Sequence, residues 1–315
     1  MLSRLADNLY WMSRYMERAE NTARMLDVQH QSGMLPGGNA QVLGQWTAVL
    51  RRSDLESAYF QRYSEITSRS VLSFLVADEG NPFSLVSCIS AVRENAKAVR
   101  VVLAPELWES INSTWMEFRT RVVRSDWQRD PSKLFEWIKL QSHLFRGAMI
   151  GTMLRDEAYY FSRIGTFVER ADNTARLLDV KYVALEATPT PSSGSADYYF
   201  WVSVLRSVSA FEIYRKVYRD AITPMRIAGL LIQHAQMPRS LLACMNELVA
   251  NIEKVATSTD SEALRQAGKM RADIAYTSLA DYREEHVHLF LQRFLVEINS
   301  LASTVSNEFL LPINV

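Results

Sequence analysis

Apolar residues recur along most of the chain at intervals of three and four, which places them on one face of an α-helix. The clearest series lies in the first 30 residues and comprises Leu5, Leu9, Met12, Met16, Ala19, Ala23 and Leu26. The same period runs from Val86 to Val99 and from Leu289 to Leu301. No segment sustains the alternation of apolar and polar residues that is typical of a half-buried strand. The pattern therefore predicts an all-α protein.

Glycine- and proline-containing breakers divide this pattern into long segments. They are Pro36–Gly38, Gly80–Pro82, Asp130–Pro131, Thr188–Ser195, Thr223–Pro224 and Met237–Pro238. Long helical segments joined by short loops pack most simply as a helical bundle. We expect a bundle of about twelve helices.

An internal repeat organises the chain. Residues 15–30 read YMERAENTARMLDVQH and residues 167–182 read FVERADNTARLLDVKY, with ten of sixteen positions identical. Weaker matches follow at slightly larger offsets: Trp46 with Trp201, Tyr59 with Tyr214, Tyr63 with Tyr218, Pro82 with Pro238 and Cys88 with Cys244. Such self-similarity indicates repeated structural units. It predicts one domain over residues 1–315, built from two pseudo-symmetric repeats of about 1–152 and about 153–315.

The doubled Glu-Arg segments resemble the alpha-E family, bacterial helical proteins named for this motif. Four other stretches are similar too: Tyr10–Arg14, Asn81–Leu85, Arg93–Ala96 and Trp108–Asn112. Members of that family are typically encoded beside, or fused to, a circularly permuted ATP-grasp ligase, often with a transglutaminase-like protease nearby. The resemblance implies a part in ATP-dependent amide or peptide bond chemistry, and it supplies no catalytic residue. The sequence departs from the repeat at Arg14, whose equivalent position holds Thr166.

The two Glu-Arg helices carry the candidate binding residues. On a helical wheel Arg14, Glu17, Asn21 and Arg24 fall within about a quarter turn of one another. Arg18 lies at the border with the apolar face and needs a partner, because a guanidinium beside an apolar surface must be paired or hydrated. The complete candidate set is Arg14, Glu17, Arg18, Asn21, Arg24, Glu169, Arg170, Asn173 and Arg176.

Two interpretations of these residues stay open on the sequence. In the first, the two copies pack together so that Glu17 meets Arg170 and Glu169 meets Arg18, which fixes the register of the helices. In the second, the arginines line a pocket for an anionic ligand, because the planar guanidinium suits carboxylate or phosphate.

Three functional hypotheses follow. The first is an accessory or co-catalytic component of an ATP-grasp amide or peptide ligase system, which binds the ligase or its substrate. The alternative is a stand-alone enzyme whose Arg/Glu-lined pocket between helices binds a small anionic substrate. The third is a structural scaffold without a ligand. The sequence names no catalytic residue for any of them.

Charge and hydropathy limit the partners and the cellular location that we expect for the protein. The chain has 35 basic and 35 acidic side chains, which disfavours a broad surface for nucleic acid. No apolar run reaches the roughly 18 residues of a membrane-spanning helix. The first 28 residues are amphipathic and arginine-containing, but they include four acids, Asp7, Glu17, Glu20 and Asp27, and transit peptides are poor in acids. We therefore expect a cytoplasmic protein that binds neither nucleic acid nor membrane.

Metal and cofactor signals are weak. Glu285 and His288 form one ExxH motif, whereas a carboxylate-bridged di-metal bundle needs two such motifs and two more glutamates. No phosphate-binding glycine loop is present. Cys88 and Cys244 lie in apolar helical runs, so we expect them to be small buried hydrophobes. We expect no metal and no cofactor.

Arginine is enriched, with 28 Arg against 7 Lys. A GC-rich genome produces the same bias, in which case Arg51, Arg52, Arg119, Arg121 and Arg124 lie on solvated helix faces. The alternative is docking of an acidic partner. The stretch from Trp115 to Trp137 mixes Trp, Phe and Arg, which are enriched at interfaces, and we predict a partner surface there.

Overall fold

The structure is a computed structural model that describes residues 1–33, 39–52, 55–187, 194–256, 260–277 and 284–310. These residues form fourteen α-helices and no strand, so the all-α prediction is confirmed. Two of the fourteen have only five residues, which accounts for the difference from the expected twelve. The predicted breaker Pro36–Gly38 and residues 188–193 of the breaker Thr188–Ser195 lie outside the described residues, and Gly194 and Ser195 begin a helix.

The helices are α1 (Ser3–Gly33), α2 (Asn39–Arg52), α3 (Glu56–Phe60), α4 (Ser68–Val76), α5 (Leu85–Ala98), α6 (Pro105–Arg124), α7 (Pro131–Thr152), α8 (Glu157–Ala187), α9 (Gly194–Ser207), α10 (Phe211–Tyr218), α11 (Pro224–Ala228), α12 (Leu241–Val255), α13 (Glu262–Tyr276) and α14 (Glu284–Val305). Short 3₁₀ turns cover Arg100–Val102 and Asp126–Gln128. Single π-helical turns cover Gly229–Gln233 and Ser306–Leu310. Proline at the first position of α6, α7 and α11 lacks only an N–H that a helix start leaves unpaired.

The chain divides into two compact units. The first unit is Tyr15–Leu154, and the second unit is Met1–Arg14 together with Arg155–Val315. The break falls inside α1, so the first turns of that helix belong with the second unit. The single domain with repeats meeting near residue 152 stays a prediction.

The two halves of the sequence repeat their local structure. Ser84 and Ser240 are the N-caps of α5 and α12, and each hydroxyl accepts a hydrogen bond from the backbone N–H three residues later. The same equivalence holds for the N-caps Thr67 and Thr223 and for Tyr59 and Tyr214, whose hydroxyls each donate to a backbone carbonyl. Equivalent residues therefore hold equivalent loops in both copies.

The core of the first unit is aromatic. Trp46, Tyr59, Phe74, Phe118 and Phe135 are buried there with aliphatic residues from α1, α4, α5, α6 and α7. Tyr59 stacks on Tyr63, with ring centroids 5.0 Å apart, and meets Phe74 edge-on. Large rings such as these fill the gaps between crossing helices.

The second unit is centred on α8, which packs against α12 and α14. Leu178, Leu248 and Ile298 from these three helices are completely buried. Gly165 of α8 faces the start of α1, and a Cβ at this glycine would overlap the carbonyl oxygen of Tyr10. The absence of a side chain at Gly165 therefore permits the close approach of the two backbones.

One predicted apolar face is partly wrong. Leu289, taken as the start of the buried face of α14, is 65% exposed. The buried residues of that helix are Val287, Phe290, Leu291, Phe294, Ile298, Leu301 and Val305. Leu289 lies two residues before Leu291, and with 3.6 residues per turn it points to the opposite side of the helix.

Candidate functional site

The polar face of the first Glu-Arg helix is buried. Glu17, Glu20, Asn21 and Asp27 are each 5% exposed or less, although the apolar face of α1 is buried too. The sequence predicted the apolar face correctly, since every member of its series except Leu5 is buried. The helix is therefore covered on more than one side, and its carboxylates need partners inside the protein.

Glu20 has the most complete set of partners. Arg24 donates from Nε to Oε1 at 2.8 Å, and the Ser142 hydroxyl donates to Oε2 at 2.6 Å. Arg146 Nη1 also donates to Oε2 and lies 3.4 Å from Oε2 of Glu17. One arginine of α7 thus contacts both glutamates of α1. A completely buried carboxylate is stable in its charged form only with such a set of donors.

Asp27 continues the row of contacts one turn beyond Arg24. Lys139 Nζ donates to Oδ2 of Asp27 at 2.8 Å, and Gln31 donates to Oδ1 at 3.0 Å. Lys139, Ser142 and Arg146 are three and four residues apart, so they lie on one face of α7. That face of α7 supplies donors to the acids of α1.

These residues form what we term the α1–α7 cluster. Its ionisable members are Glu17, Glu20, Arg24, Asp27, Lys139 and Arg146. Three carboxylates face three cations, so the cluster carries no excess positive charge. The side chains of the cations are only 12 to 17% exposed. The charges of α1 and α7 in this cluster are therefore matched with one another and largely shielded from solvent.

The second Glu-Arg helix repeats the pattern with weaker partners. Arg176 donates to Asp172 at 2.8 Å, as Arg24 does to Glu20. Asp179 accepts from Gln292 at 2.8 Å and lies 2.7 Å from Nδ1 of His288. Asn299 lies 3.5 Å from Asp172. Gln292 and Asn299 follow Lys139 and Arg146 by 153 residues, so neutral amides in α14 replace the cations of α7.

Arg14 pairs with the second copy of the motif. Its Nε and Nη2 both lie 3.0 Å from Oε2 of Glu169, and Nη1 donates to the Tyr10 hydroxyl at 3.1 Å. The guanidinium also lies over the Trp11 ring, 4.8 Å from its centroid. The side chains of Arg14 and Glu169 are 12% and 8% exposed. Arg14, whose equivalent in the second repeat is Thr166, therefore forms a largely buried ion pair with Glu169.

Arg18 and Arg170 have aromatic neighbours. Arg18 lies over Tyr15 and Phe83, 5.4 and 5.0 Å from the ring centroids, and Arg170 lies 5.1 Å from the centroid of Phe167. Cation–π contact of this kind favours a guanidinium beside an apolar surface. The crossed pairs of Glu17 with Arg170 and of Glu169 with Arg18 stay a prediction. Of the remaining candidates, Asn21 is buried and Asn173 is partly buried.

The other candidate chemistry is not assembled in the described residues. Neither Cys88 nor Cys244 forms a disulfide in the described part of the chain, and both are completely buried, as expected of small core residues. His288 contacts Asp179, while the side chain of Glu285 lies outside the described residues. No group of three or more His, Cys, Asp or Glu side chains converges in the described ranges. None of the helices described there is long and apolar enough to cross a membrane.

One further carboxyl near the motif has a perturbed pKa. Burial raises the pKa of Asp7 above its ordinary value, and a hydrogen bond with the Trp11 side chain opposes this in part. Asp7 lies two to three turns before the Glu-Arg motif on α1. It is an acid, so it adds no positive charge to the site.

The candidate set drawn from the sequence lacks five residues of the α1–α7 cluster, namely Glu20, Asp27, Lys139, Ser142 and Arg146. Glu20 is replaced by Asp172 in the other repeat, so a search for identical positions passes over it. Lys139, Ser142 and Arg146 have no identical equivalents at a spacing of 153 residues. Only a comparison of hydrogen-bonding capacity, rather than identity, would have identified α7 and α14 as equivalent helices.

The chain also matches a known protein family along most of its length. A family model named Alpha-E, described as a predicted alpha-helical domain with a conserved ER motif, matches residues 1–310. The chain belongs to the Alpha-E family. The ER dipeptides of this Alpha-E chain, Glu17–Arg18 and Glu169–Arg170, lie in the middle of its two 31-residue helices.

Relatives of this Alpha-E chain are found in mycobacteria. It is 25% identical over 281 residues to an uncharacterized protein of Mycobacterium bovis and to two uncharacterized proteins of Mycobacterium tuberculosis. Each match covers 82% of this chain and 30% of the relative, so the chain spans less than a third of the curated relatives that it matches. No solved structure is significantly similar to it.

Proposed function

We propose that this Alpha-E chain is an accessory or co-catalytic component of an ATP-grasp amide or peptide ligase system, and that it binds the ligase or its substrate. The partner is a circularly permuted ATP-grasp protein, and a transglutaminase-like protease belongs to the same system. The proposed location is the cytoplasm, where ATP is available to the ligase. Nucleic acid and membrane are not among the proposed partners.

The observation that carries the proposal is the α1–α7 cluster. The carboxylates of Glu17, Glu20 and Asp27 in the first Glu-Arg helix are buried and face cations of α7, which supports a role in the fold rather than at a substrate. A general acid or base would need access to substrate and a pKa near the working pH. Because the carboxylates of the α1–α7 cluster are enclosed, we assign the chemistry to a partner protein and a binding role to this chain.

Support for a ligase as that partner comes from the family. Alpha-E proteins are characteristically associated with permuted ATP-grasp ligases, by fusion or by gene neighbourhood. The mycobacterial relatives are more than three times as long as the segment that matches this chain, which is compatible with additional domains in those proteins. The stand-alone enzyme is less favoured, because the first Glu-Arg helix offers no uncompensated arginine cluster for an anionic substrate.

The experiment uses the purified chain and a permuted ATP-grasp protein from the same genome. Light scattering after size exclusion and biolayer interferometry measure the complex, and a coupled assay measures ADP release by the ligase. We expect a defined complex of micromolar or tighter affinity and a rate of ADP release that depends on the Alpha-E chain. An unrelated ATP-grasp ligase is the negative control and should show neither effect.

Arg24→Lys separates the accessory role from the pocket. Lysine can still pair with Glu20, so the variant should fold, bind the ligase and support ADP release as the wild type does. If ADP release falls sharply while stability and binding are retained, the guanidinium serves a ligand, and the enzyme hypothesis is favoured instead. If no complex forms and the rate of ADP release is the same with and without the Alpha-E chain, the proposed ligase partnership is wrong. The hypothesis of a structural scaffold without a ligand would then remain.

A further inference from the structure

A cleft in the first unit lies between the end of α6 and the start of α7. Its volume is about 510 Å³, which is in the range of small-molecule sites. The lining residues are Glu117, Thr120, Arg121, Arg124, Trp127, Arg129, Asp130, Lys133 and Leu134. None of these residues belongs to the Glu-Arg motif or to the α1–α7 cluster.

The charges of the described residues that line the cleft do not cancel. Arg121 pairs with Glu117, with its Nε 3.0 Å from Oε1, and Lys133 pairs with Asp130 at 2.9 Å. The hydrogen bond from Lys133 holds the pKa of Asp130 below its usual range, so this carboxyl is charged at neutral pH. Both acids of the lining are therefore matched by one cation each.

Two arginines are left over. Arg124 and Arg129 are exposed, and within the described part of the chain neither makes a hydrogen bond or an ion pair. Guanidinium groups offer forked donors that match carboxylate and phosphate oxygens. Two uncompensated positive charges in one cleft favour a ligand that brings at least two negative charges.

Trp127, which lines the cleft, also carries an unsatisfied buried donor. Trp127 is only 6% exposed, and its indole Nε1–H has no acceptor among the described residues. Leaving a buried donor unpaired costs about 1 to 3 kcal/mol, so such groups call for an explanation. An acceptor oxygen of a bound ligand would supply the missing partner.

We propose that the α6–α7 cleft binds a small ligand carrying at least two carboxylate or phosphate charges, held by Arg124 and Arg129 with Trp127 Nε1–H as a further donor. The site is independent of the proposed ligase partnership, because the isolated chain contains all of it. The stretch from Trp115 to Trp137, which the sequence singled out as a partner surface, includes this cleft.

The test is isothermal titration calorimetry of the full chain with citrate and, separately, pyrophosphate. Citrate represents a carboxylate ligand and pyrophosphate a phosphate ligand. We expect one of them to bind with 1:1 stoichiometry, more weakly as salt increases. R124A/R129A should weaken that binding by at least about tenfold, the equivalent of one lost charged hydrogen bond. Both residues are exposed, so the variant should keep the wild-type melting temperature.

Two controls complete the test. R69A/R155A removes two other exposed arginines without described contacts and should bind as the wild type does. W127F removes the unpaired donor together with one ring of the indole, so it should bind more weakly, and its melting temperature measures the accompanying loss of packing. The proposal is overturned if neither anion binds, if R69A/R155A weakens binding as much as R124A/R129A, or if R124A/R129A and W127F bind as tightly as the wild type.

Discussion

At the scale of single residues, the protein uses buried charge to specify which helices meet. Glu20 is fully buried and has donors from its own helix and from α7. Such pairs add little net stability over an apolar contact, yet removal of one partner is costly because it leaves a charge uncompensated. The Glu-Arg helices therefore tolerate few substitutions at these positions, even though no substrate touches them in our account.

Arg146→Met provides a direct prediction. It removes the cation shared by Glu17 and Glu20 while keeping an apolar side chain of similar length. We expect the free energy of unfolding to fall by about 3 kcal/mol, measured by urea denaturation with tryptophan fluorescence. Glu20→Gln combined with Arg146→Met should recover part of the loss, because no uncompensated carboxylate remains at position 20.

Arg51→Met is the matched control in the same unit. Arg51 pairs with Glu56 at 3.0 Å, but the two side chains are 68% and 36% exposed. An exposed pair contributes less than about 1 kcal/mol. Equal losses for Arg146→Met and Arg51→Met would show that burial of the α1–α7 cluster has no energetic consequence.

At the scale of helices, α8 approaches α1 closely at Gly165. The glycine leaves room for the carbonyl of Tyr10, and no other residue type would do so without a shift of one helix. Periodicity predicted both helices, but it could not predict this crossing, because hydrophobic spacing states which face is buried and not what lies against it. The crossing is a property of two distant segments together.

Gly165→Ala should therefore destabilise the protein, although alanine favours helix more than glycine does. We expect a loss of about 1 to 3 kcal/mol from the overlap with Tyr10, measured as a lower midpoint of urea unfolding. Gly147→Ala on α7 is the control, since nothing outside the helix lies within 4 Å of a Cβ there. It should stabilise by up to about 1 kcal/mol. A stabilising effect at both glycines would contradict the close crossing.

At the scale of the whole molecule, the boundary of the two compact units does not follow the boundary of the repeats. Residues 1–14 belong with residues 155–315, although they precede the first copy of the motif in sequence. Leu9 and Leu26, both on α1 and both completely buried, therefore lie in different units. We expect the two units to respond separately to substitutions on this one helix.

Leu9→Ala and Leu26→Ala test that division. Each deletes buried methyl groups and should cost about 2 to 5 kcal/mol. In hydrogen–deuterium exchange, Leu9→Ala should raise exchange mainly in α8 and α12, and Leu26→Ala mainly in α5 and α6, because local stability differs between cooperative units. Identical exchange patterns for the two variants would show one cooperative unit instead.

The sequence predicted the elements better than their partners. Helical spacing and the repeat predicted the all-α class and the two Glu-Arg helices. The helical wheel assigned Glu17 and Arg24 to a polar face correctly, but it could not predict that α7 covers that face. Arg146 and Lys139 are isolated charges in α7, and Asn299 and Gln292 replace them in α14. The hydrophobic periodicity of a helix does not predict which distant helix carries the complementary charges.

A double-mutant cycle on Arg14 and Glu169 tests whether the Glu-Arg motif is structural. Arg14→Met and Glu169→Gln should each destabilise the protein, and the double variant should lose less than their sum by at least about 1.5 kcal/mol of coupling in urea unfolding. The contrary result is a coupling near zero, with both single variants as stable as the wild type and ligase-dependent ADP release abolished. That outcome would place these charges at a ligand and not in the fold.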